Sequence, residues 1–398
     1  MQRLTDSSPI PGEKQSAGGK AGQQPDWQGH PDLAEIRGEL ATRPGLVTAE
    51  DTAVLRTLLA GVAAGTAHVI QAGDCAEDPD ESTADYVARK SGLLDVLAGT
   101  MQMNTHRPVI RVGRIGGQYA KPRSRPTETV GGRELPVYRG HLVNSPEPDP
   151  ELRRPDPRRM LDCYRAAADV AEHLGWSGTD RHWHRSPRVW TSHEALVLDY
   201  ERPLLRHDGE GRLYLASTHW PWVGERTRRP DGAHVALLTA VANPVACKVG
   251  PGMTETDLLE LCARLDPARE PGRLTLISRM GAAAVSGQLP PLVKAVHAAG
   301  HPVIWLSDPM HGNTVSTPSG LKTRHLDTVL REAEHFQCAV RSSGGVAGGL
   351  HLEVTPDAVT ECVGSGSGQE QVADKYTTLC DPRLNPEQAV SVAASWTA

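Results

Sequence analysis

Aromatic side chains are scarce in this sequence of 398 residues, which has one Phe, seven Tyr and eight Trp. Such scattered aromatics do not make the stacking platforms on which proteins bind single-stranded nucleic acid. No stretch approaches the roughly 18 consecutive apolar residues of a membrane-spanning helix, and residues 1–24 lack the apolar centre of a signal peptide. The sequence therefore predicts a soluble, cytoplasmic protein that binds neither membranes nor nucleic acid.

Cysteine and positive charge are also limited. The seven cysteines are an odd number without the spacing of a small disulfide-rich domain, which favours a reducing compartment. With a formal charge of -6 the chain has no global basic field, although local basic clusters can still bind small anions. The motifs of serine hydrolases, zincins, thioredoxin-like proteins and P-loop proteins are missing, so those classes have no support.

Eight short apolar runs, each bounded by turn-forming or polar residues, are what the sequence does contain. Such runs are typical of strands buried on both faces in a parallel sheet. Helix-like segments such as Ser82–Thr100 and Leu161–Leu174 separate them, and this alternation indicates an α/β protein with the (β/α)8 barrel fold. The predicted strands are Ala67–Gln71, Pro108–Val112, Arg188–Thr191, Leu213–Ser217, Pro244–Cys247, Leu274–Ser278, Pro302–Leu306 and Leu350–Val354.

The chain divides into three predicted regions. Residues 1–30 are polar and rich in Gly, Ser, Gln and Pro, which favours a flexible arm. The apolar spacing within residues 31–64 fits the amphipathic helices of an N-terminal helical extension. Residues 65–398 are predicted to form the (β/α)8 barrel, which would be the catalytic domain.

A residue able to ligate a metal, move a proton or hold an anion follows every predicted strand. In a (β/α)8 barrel the carboxyl ends of the strands line one active-site mouth, so these residues are expected to converge. Strand ends are also exposed and commonly polar, which explains any one of them but is a weak explanation for all eight together. They are Asp74 to Glu77, Arg114, His193 with Glu194, His219 with Trp220, Lys248, Arg279, Asp308 with His311, and Glu353.

A mixed set of possible metal ligands stands out among these residues. Three of its four members follow the first, seventh and eighth predicted strands, which are neighbours in a closed barrel. A thiolate, an imidazole and two carboxylates suit Mn, Co, Fe or Zn better than Mg or Ca. Each also has a simpler explanation, as a small buried hydrophobe, a helix cap, or a surface or turn residue. The four are Cys75, His311, Glu353 and Asp381.

Two basic clusters suit phosphate or carboxylate groups, because Arg forks and Ser hydroxyls bind oxyanions. One lies in the Gly-rich stretch that ends at Ser124, and the other begins at Arg226. Two separate clusters imply a ligand set with two phosphates, or with one phosphate and one carboxylate. Arg228 and Arg229 are better explained as solvated surface charges. The basic residues of interest are Arg114, Lys121, Arg123, Arg226, Lys248 and Arg279.

Long motifs of the chain resemble one family, the type II 3-deoxy-D-arabino-heptulosonate 7-phosphate (DAHP) synthases. The resemblance runs from about residue 27 to residue 390 in the family's order. It implies a (β/α)8 barrel that condenses phosphoenolpyruvate with erythrose 4-phosphate and releases phosphate, as the first step of the shikimate pathway. The matching stretches are Gln71–Glu77, Arg114–Ser124, Thr191–Leu196, Ser217–Trp222 with Gly224–Thr227, Asn243–Gly250, Ser278–Gly281, Ser307–Thr314, Lys322–Arg324 and Cys380–Arg383.

The resemblance also implies roles for individual residues. Those implied to bind a divalent Mn, Co or Zn ion are Cys75, His311, Glu353 and Asp381. Those implied to hold phosphoenolpyruvate are Arg114, Lys248 and Arg279, with backbone donors near Glu225 and Arg226. Those implied to hold the phosphate of the aldehyde substrate are Arg123, Ser124 and Arg226. The candidate catalytic groups are Lys248, Lys121 and His311.

The chain departs from the family in places. His141 stands where the family usually has Asp, and the segment 144–191 is shorter than in the feedback-regulated members. From the shortened segment we expect that aromatic amino acids do not inhibit the protein, as in members that serve secondary metabolism. Cys380 adjoins Asp381, so a disulfide between Cys75 and Cys380 is predicted for metal-free, air-exposed protein.

Several alternatives remain open on the sequence alone. By resemblance, the protein forms a homodimer or a higher homo-oligomer, and a chorismate mutase is a candidate partner. One rival function is that of an aminoDAHP synthase, which uses an imino form of the tetrose phosphate. The other is an inactive regulatory partner of a chorismate mutase. The presence of all four ligands and of the substrate arginines argues against this second rival.

Overall fold

The computed structural model describes residues 21–177, 188–364 and 368–398. Within them, eight parallel strands close into a barrel, each paired with its neighbours in chain order and the last paired with the first. The predicted (β/α)8 fold is therefore confirmed. The barrel strands, called strands 1 to 8 in chain order, are His68–Gly73, Val109–Arg114, Val189–Glu194, Trp220–Val223, Val245–Val249, Leu274–Ser278, Ile304–Ser307 and Val346–Glu353.

Helices connect the strands and cover the barrel. The helix Glu255–Leu265 is an example of why they form: Thr254 caps its first turn, and Leu258, Leu261 and Leu265 bury one face. Among the described helices, none is long and apolar enough to cross a membrane. The helices are Leu33–Thr42, Ala49–Ala63, Ala84–Thr105, Arg159–His173, Leu198–Glu201, Ala233–Ala240, Glu255–Leu265, Val285–Ala298, Leu326–Ser342 and Pro386–Ala394.

Short antiparallel hairpins decorate the loops between strands. Their strand pairs are Thr127–Val130 with Arg133–Pro136, Leu205–His207 with Leu213–Leu215, and Val315–Ser316 with Lys322–Thr323. The loops also contain three short 3-10 helices among the described residues, at Pro79–Glu81, Arg202–Leu204 and Gln369–Ala373.

The helix Ala49–Ala63 packs against strand 8 and against the apolar interior at the amino end of the barrel. Its residues Leu55, Leu59 and Val62 are fully buried and belong to one cluster with side chains of the strands, among them Ile304. Their spacing of four and three residues places them on one helical face. This part of the N-terminal extension therefore closes the amino end of the barrel, opposite the carboxyl ends of the strands.

This packing predicts that Leu59→Ala lowers the free energy of unfolding by about 2–5 kcal/mol, the usual cost of truncating a fully buried leucine. Denaturant or thermal unfolding of the purified variant measures the loss. The adjacent Leu58 is 41% exposed, so Leu58→Ala is a matched control with an expected change of about 0.5 kcal/mol or less. Equal losses in the two variants would contradict the packing described here.

One predicted strand is wrong. Strand 4 is Trp220–Val223, whereas Leu213–Ser217 was expected; the segment Leu213–Leu215 pairs instead with Leu205–His207 in a hairpin outside the barrel. Proline lacks an amide donor and is unusual within a central strand, so Pro221 hid the true strand. The other seven predicted strands overlap the observed ones.

The corrected strand changes which residues reach the mouth of the barrel. His219 was expected after the fourth strand but precedes it. Its ring packs against Trp176 and Trp190, away from the carboxyl ends of the strands. Glu225 and Arg226 are instead the polar residues that follow strand 4.

Residues 21–30, within the segment predicted as an arm, contact the barrel. The Trp27 side chain is buried, and its indole Nε1 donates to Asp199 Oδ2 at 2.8 Å. Residues 1–20 lie outside the described residues.

Candidate active site

A cavity of about 660 Å³ lies at the carboxyl ends of the barrel strands. Its lining brings together residues that are far apart in the sequence, as predicted from the strand ends. Cys75 and Glu353 lie behind the lining, where both are fully buried. The predicted site residues that line the cavity are Arg114, Lys121, Arg123, Ser124, Glu225, Arg226, Lys248, Arg279, His311 and Asp381.

The four predicted metal ligands are neighbours. Donor atoms of Cys75, Glu353 and Asp381 all lie within 4.8 Å of one another. His311 Nε2 lies 3.1 Å from Glu353 Oε1 and so adjoins this group. A thiol, two carboxylates and an imidazole are a donor set that fits a divalent transition metal.

Lys121 lies at the centre of this group. Its Nζ is 2.7 Å from Cys75 Sγ, 3.1 Å from Glu353 Oε1 and 3.2 Å from Asp381 Oδ2. Burial by itself would lower the pKa of Lys121, but its neighbours Cys75, Glu353 and Asp381 raise it well above the ordinary value. The ammonium group therefore balances part of the negative charge of this cluster, together with the other cations that contact Glu353 and Asp381.

Glu353 is held in its ionised form. Burial alone would raise the pKa of its carboxyl group, but His311, Lys121 and Arg324 hold that pKa well below the ordinary value. The buried Arg324 Nη1 lies 2.8 Å from Glu353 Oε2. Sequence reasoning gave Arg324 no separate role, although it ends the motif Lys322–Arg324.

Asp308 is a residue whose role sequence reasoning missed. Its Oδ2 accepts hydrogen bonds from His311 Nδ1 at 2.8 Å and from Lys248 Nζ at 2.5 Å. Backbone amides of Met310 and His311 donate to Oδ1. A carboxylate that accepts from one imidazole nitrogen fixes the ring so that the other nitrogen can ligate a metal. Asp308 thus orients His311 toward Glu353 and at the same time anchors Lys248.

Arg114 is held by a buried chain of hydrogen bonds that the sequence did not predict. Gln71 Oε1 lies 2.7 Å from His351 Nδ1, and the other ring nitrogen lies 3.2 Å from Arg114 Nη1. Burial holds the pKa of His351 well below its ordinary value, so the ring is neutral and Nε2 accepts from the guanidinium group. The guanidinium group also lies over the Trp222 ring at 5.6 Å. These contacts fix the direction of the Arg114 fork.

The second basic cluster lies on the same cavity. Arg226 Nη2 donates to Ser124 Oγ at 2.5 Å, which joins the loops after strands 2 and 4. Arg123 is steered by Glu128 Oε2 at 3.1 Å. The Glu225 carboxylate forms an ion pair with Arg228 Nη2 at 2.6 Å. Arg228, expected on the surface, is half-buried in this ion pair.

The two residues at the end of strand 3 have different environments. His193 is buried, and its Nε2 lies 2.9 Å from Glu201 Oε1, which indicates a structural role. Glu194 lines the cavity, and burial raises the pKa of its carboxyl group. A Cβ on Gly224 would lie 2.1 Å from Glu194 Oε1, so only glycine leaves room for this carboxylate. Glu194 is therefore a further acidic group of the cavity.

The loop that carries Asp381 is held by buried ion pairs. Arg383 lies 2.6 Å from Asp74 Oδ1 and 2.8 Å from Glu361 Oε1. Cys380, in the same loop, contacts Cys75 side chain to side chain, and both cysteines are free thiols. His141, the residue that departs from the family, contacts the Tyr138 hydroxyl at 2.8 Å.

Fold and site define a (β/α)8-barrel enzyme whose cavity combines basic groups with a buried thiol and carboxylate cluster. The model of the class-II DAHP synthetase family matches residues 13–175 and 167–397. The chain therefore belongs to the class-II DAHP synthetase family and is a transferase of the DAHP synthase type.

Individual relatives agree with this assignment. A probable phospho-2-dehydro-3-deoxyheptonate aldolase of Pseudomonas fluorescens is 57% identical over 94% of each chain. A phospho-2-dehydro-3-deoxyheptonate aldolase of Streptomyces coelicolor is 39% identical over 94% of each chain. The solved structure of the aldolase of that name from Francisella tularensis has a TM-score of 0.56 over 92% of this chain and 95% of its own. With 12% identity, that structure shows a shared fold alone.

Proposed function

We propose that the protein condenses phosphoenolpyruvate with D-erythrose 4-phosphate and water to give 3-deoxy-D-arabino-heptulosonate 7-phosphate and phosphate. The observation that carries the proposal is a single cavity in which two basic groups flank a buried thiol and carboxylate cluster. Both substrates carry a phosphate, and phosphoenolpyruvate also carries a carboxylate, so the pair needs more than one cationic subsite.

Phosphoenolpyruvate is assigned to Arg114, Lys248 and Arg279. These three cations lie at or next to the carboxyl ends of strands 2, 5 and 6 and line the same cavity. Arg279 donates to the carbonyl oxygen of His311 at 3.1 Å, and Lys248 is anchored by Asp308. Cations whose positions are fixed before binding hold an anionic substrate in a reactive orientation without a large ordering cost.

The phosphate of erythrose 4-phosphate is assigned to Arg123, Ser124 and Arg226. The Arg226 contact with Ser124 already aligns two of these groups before any substrate binds. Lys121 connects this subsite with the cluster of acidic side chains, since it lies two residues before Arg123 and contacts Glu353. The aldehyde end of the substrate would therefore face Lys121.

Cys75, His311, Glu353 and Asp381 would hold a divalent Mn, Co or Zn ion. When bound, such an ion supplies Lewis-acid polarisation of the aldehyde oxygen. C3 of phosphoenolpyruvate attacks the aldehyde carbon, water adds at C2, and the resulting phosphohemiketal loses phosphate. Lys121 would donate a hydrogen bond to the aldehyde oxygen as it gains negative charge. Lys248, whose pKa burial lowers to about 8, is the candidate for proton transfer.

The direct test mixes metal-loaded protein with both substrates and follows the loss of the enol phosphate absorbance. We expect consumption of phosphoenolpyruvate only when erythrose 4-phosphate is present, with release of one phosphate per turnover. No consumption with Mn, Co or Zn would overturn the proposal. Consumption with an imino tetrose phosphate but not with erythrose 4-phosphate would also overturn it, in favour of the amino reaction.

We also propose that the enzyme serves secondary metabolism and lacks feedback inhibition. In the described parts of the shortened segment 144–191, one helix, Arg159–His173, is present. We expect tryptophan and phenylalanine, alone and together, to leave the initial rate unchanged at concentrations up to about 1 mM. Steady-state assays at substrate concentrations near KM measure this. Clear inhibition by either amino acid would contradict the prediction.

Assembly into a homodimer or a higher homo-oligomer, and association with a chorismate mutase, are part of the same proposal. Both follow from the resemblance to the family. Sedimentation of the purified protein, with and without a chorismate mutase, tests them.

A further inference from the structure

Residues 22–24, which we call the N-terminal strap, lie against the loops that follow three of the barrel strands. Gln24 Oε1 accepts from the Leu198 amide at 2.9 Å, and Gln24 Nε2 donates to the Leu196 carbonyl at 2.8 Å, which ties the strap to the loop after strand 3. Gly22 lies close to the backbone of Arg226 in the loop after strand 4. The strap therefore borders the subsite assigned to the aldose phosphate, although it belongs to no barrel element.

Gln23 connects the strap to the loop after strand 2. Its side-chain Oε1 accepts a hydrogen bond from the Arg123 amide at 2.9 Å. Its own backbone has φ of 62°, a left-handed conformation that a residue other than glycine adopts only when its surroundings impose it. Gln23 thus binds the backbone of the residue whose guanidinium group lines the cavity.

Arg139 completes a ring of hydrogen bonds around this contact. Its guanidinium group donates to the carbonyl oxygens of Gln23 and Gln24, the latter at 3.2 Å. Its own carbonyl accepts from the Lys121 amide at 2.8 Å. Gly140, with φ of 97°, allows this approach, because a Cβ there would lie 2.1 Å from the Tyr119 carbonyl oxygen. The backbone of Lys121 and the backbone of Arg123 are therefore both fixed from outside the barrel.

We infer that Gln23 and Arg139 are positioning residues for the aldose phosphate, acting through the loop that carries Lys121, Arg123 and Ser124. A phosphate subsite binds well when its donors need no reordering on binding. Removal of the Gln23 acceptor releases the Arg123 amide and so makes local opening of the loop easier. No strap contact described above involves Arg114, Lys248 or Arg279, so the effect is specific to one substrate. The inference rests on the proposed function.

The test compares Gln23→Ala and Gln23→Gly with the unmodified protein by steady-state kinetics. We expect KM for erythrose 4-phosphate to rise about 3- to 10-fold, the effect of one net hydrogen bond, while KM for phosphoenolpyruvate changes less than about 2-fold. Gln23→Gly removes the side chain but relieves the left-handed backbone, so it separates lost positioning from lost stability. Arg139→Ala is expected to raise the same KM, and Arg139→Lys to restore part of it.

Gln28→Ala is the matched control. Gln28 follows the strap, is exposed, and its side chain contacts Asp199 rather than the loop 121–124. In Gln28→Ala the KM values for both substrates should stay unchanged. An equal rise of both KM values in Gln23→Ala and Gln23→Gly, or no rise in either variant, would overturn the inference.

A second measurement keeps the inference separate from the proposed function. Hydrogen exchange of the backbone amides in residues 119–125 of the substrate-free protein needs no turnover. We expect faster exchange in Gln23→Gly than in the unmodified protein or in Gln28→Ala, because local opening of the loop becomes easier. Unchanged exchange would overturn the inference even if the enzyme is active, whereas an inactive protein with faster exchange would count against the proposed function alone.

Discussion

Cys75→Ser should lose both the bound metal and catalytic turnover. The thiol lies at the acidic cluster, 2.7 Å from Lys121 Nζ, and sulfur is the donor that selects a transition metal over Mg or Ca. Loss of Lewis-acid stabilisation costs several kcal/mol, and each 1.4 kcal/mol is a factor of about ten in rate. We therefore expect kcat to fall at least about 1000-fold. Metal content after gel filtration and the rate of phosphoenolpyruvate consumption measure the two effects.

The matched control for this variant is Cys338→Ser. Cys338 is an exposed free thiol on the helix Leu326–Ser342, so its substitution should change neither metal content nor rate. Glu353→Gln should behave like Cys75→Ser, because it removes a charge from the same cluster. A Cys75→Ser protein that retains one metal per chain and full activity would rule out the thiol as a ligand.

Strand ends made much of this site predictable from sequence. Seven of the eight apolar runs are barrel strands, and the rule that their carboxyl ends converge brings Cys75 beside Glu353 although the two are far apart in the chain. Strand 4 escaped detection because Pro221 weakens the strand pattern. That error moved His219 to the wrong end of the barrel.

The contacts that orient the site were harder to predict. Asp308 precedes His311 by three residues within the motif Ser307–Thr314. This spacing was the one feature of the sequence that could have indicated that Asp308 orients His311. The partners of Arg114 gave no such signal, because His351 and Gln71 belong to strands 8 and 1 and meet through the closure of the barrel. The Gln23 contact with Arg123 joins residues separated by 100 positions without a shared motif. Tertiary packing determines such contacts, and the local sequence pattern around each residue does not predict them.

Lys248→Met is expected to reduce kcat/KM for phosphoenolpyruvate by about 100- to 1000-fold. The substitution removes a cation from the substrate subsite and breaks the buried ion pair of Lys248 with Asp308, which is strongly unfavourable. Lys248→Arg keeps the charge and the ion pair in part, so it should retain more activity than Lys248→Met. Steady-state kinetics with varied phosphoenolpyruvate measure both variants. Equal activity of Lys248→Met and the unmodified protein would exclude Lys248 from the site.

The pH dependence of KM for phosphoenolpyruvate gives a sharper test of the role of Lys248. Burial lowers the pKa of Lys248 to about 8, and the repulsion of Arg114 acts in the same direction, whereas Asp308 raises it. The charged form binds the anionic substrate, so KM for phosphoenolpyruvate should rise as pH increases through about 8, by up to tenfold per pH unit above it. An Arg side chain stays charged in this range, and Lys248→Arg should therefore show no such rise. A rise of equal size in both proteins would place the titrating group elsewhere in the cavity.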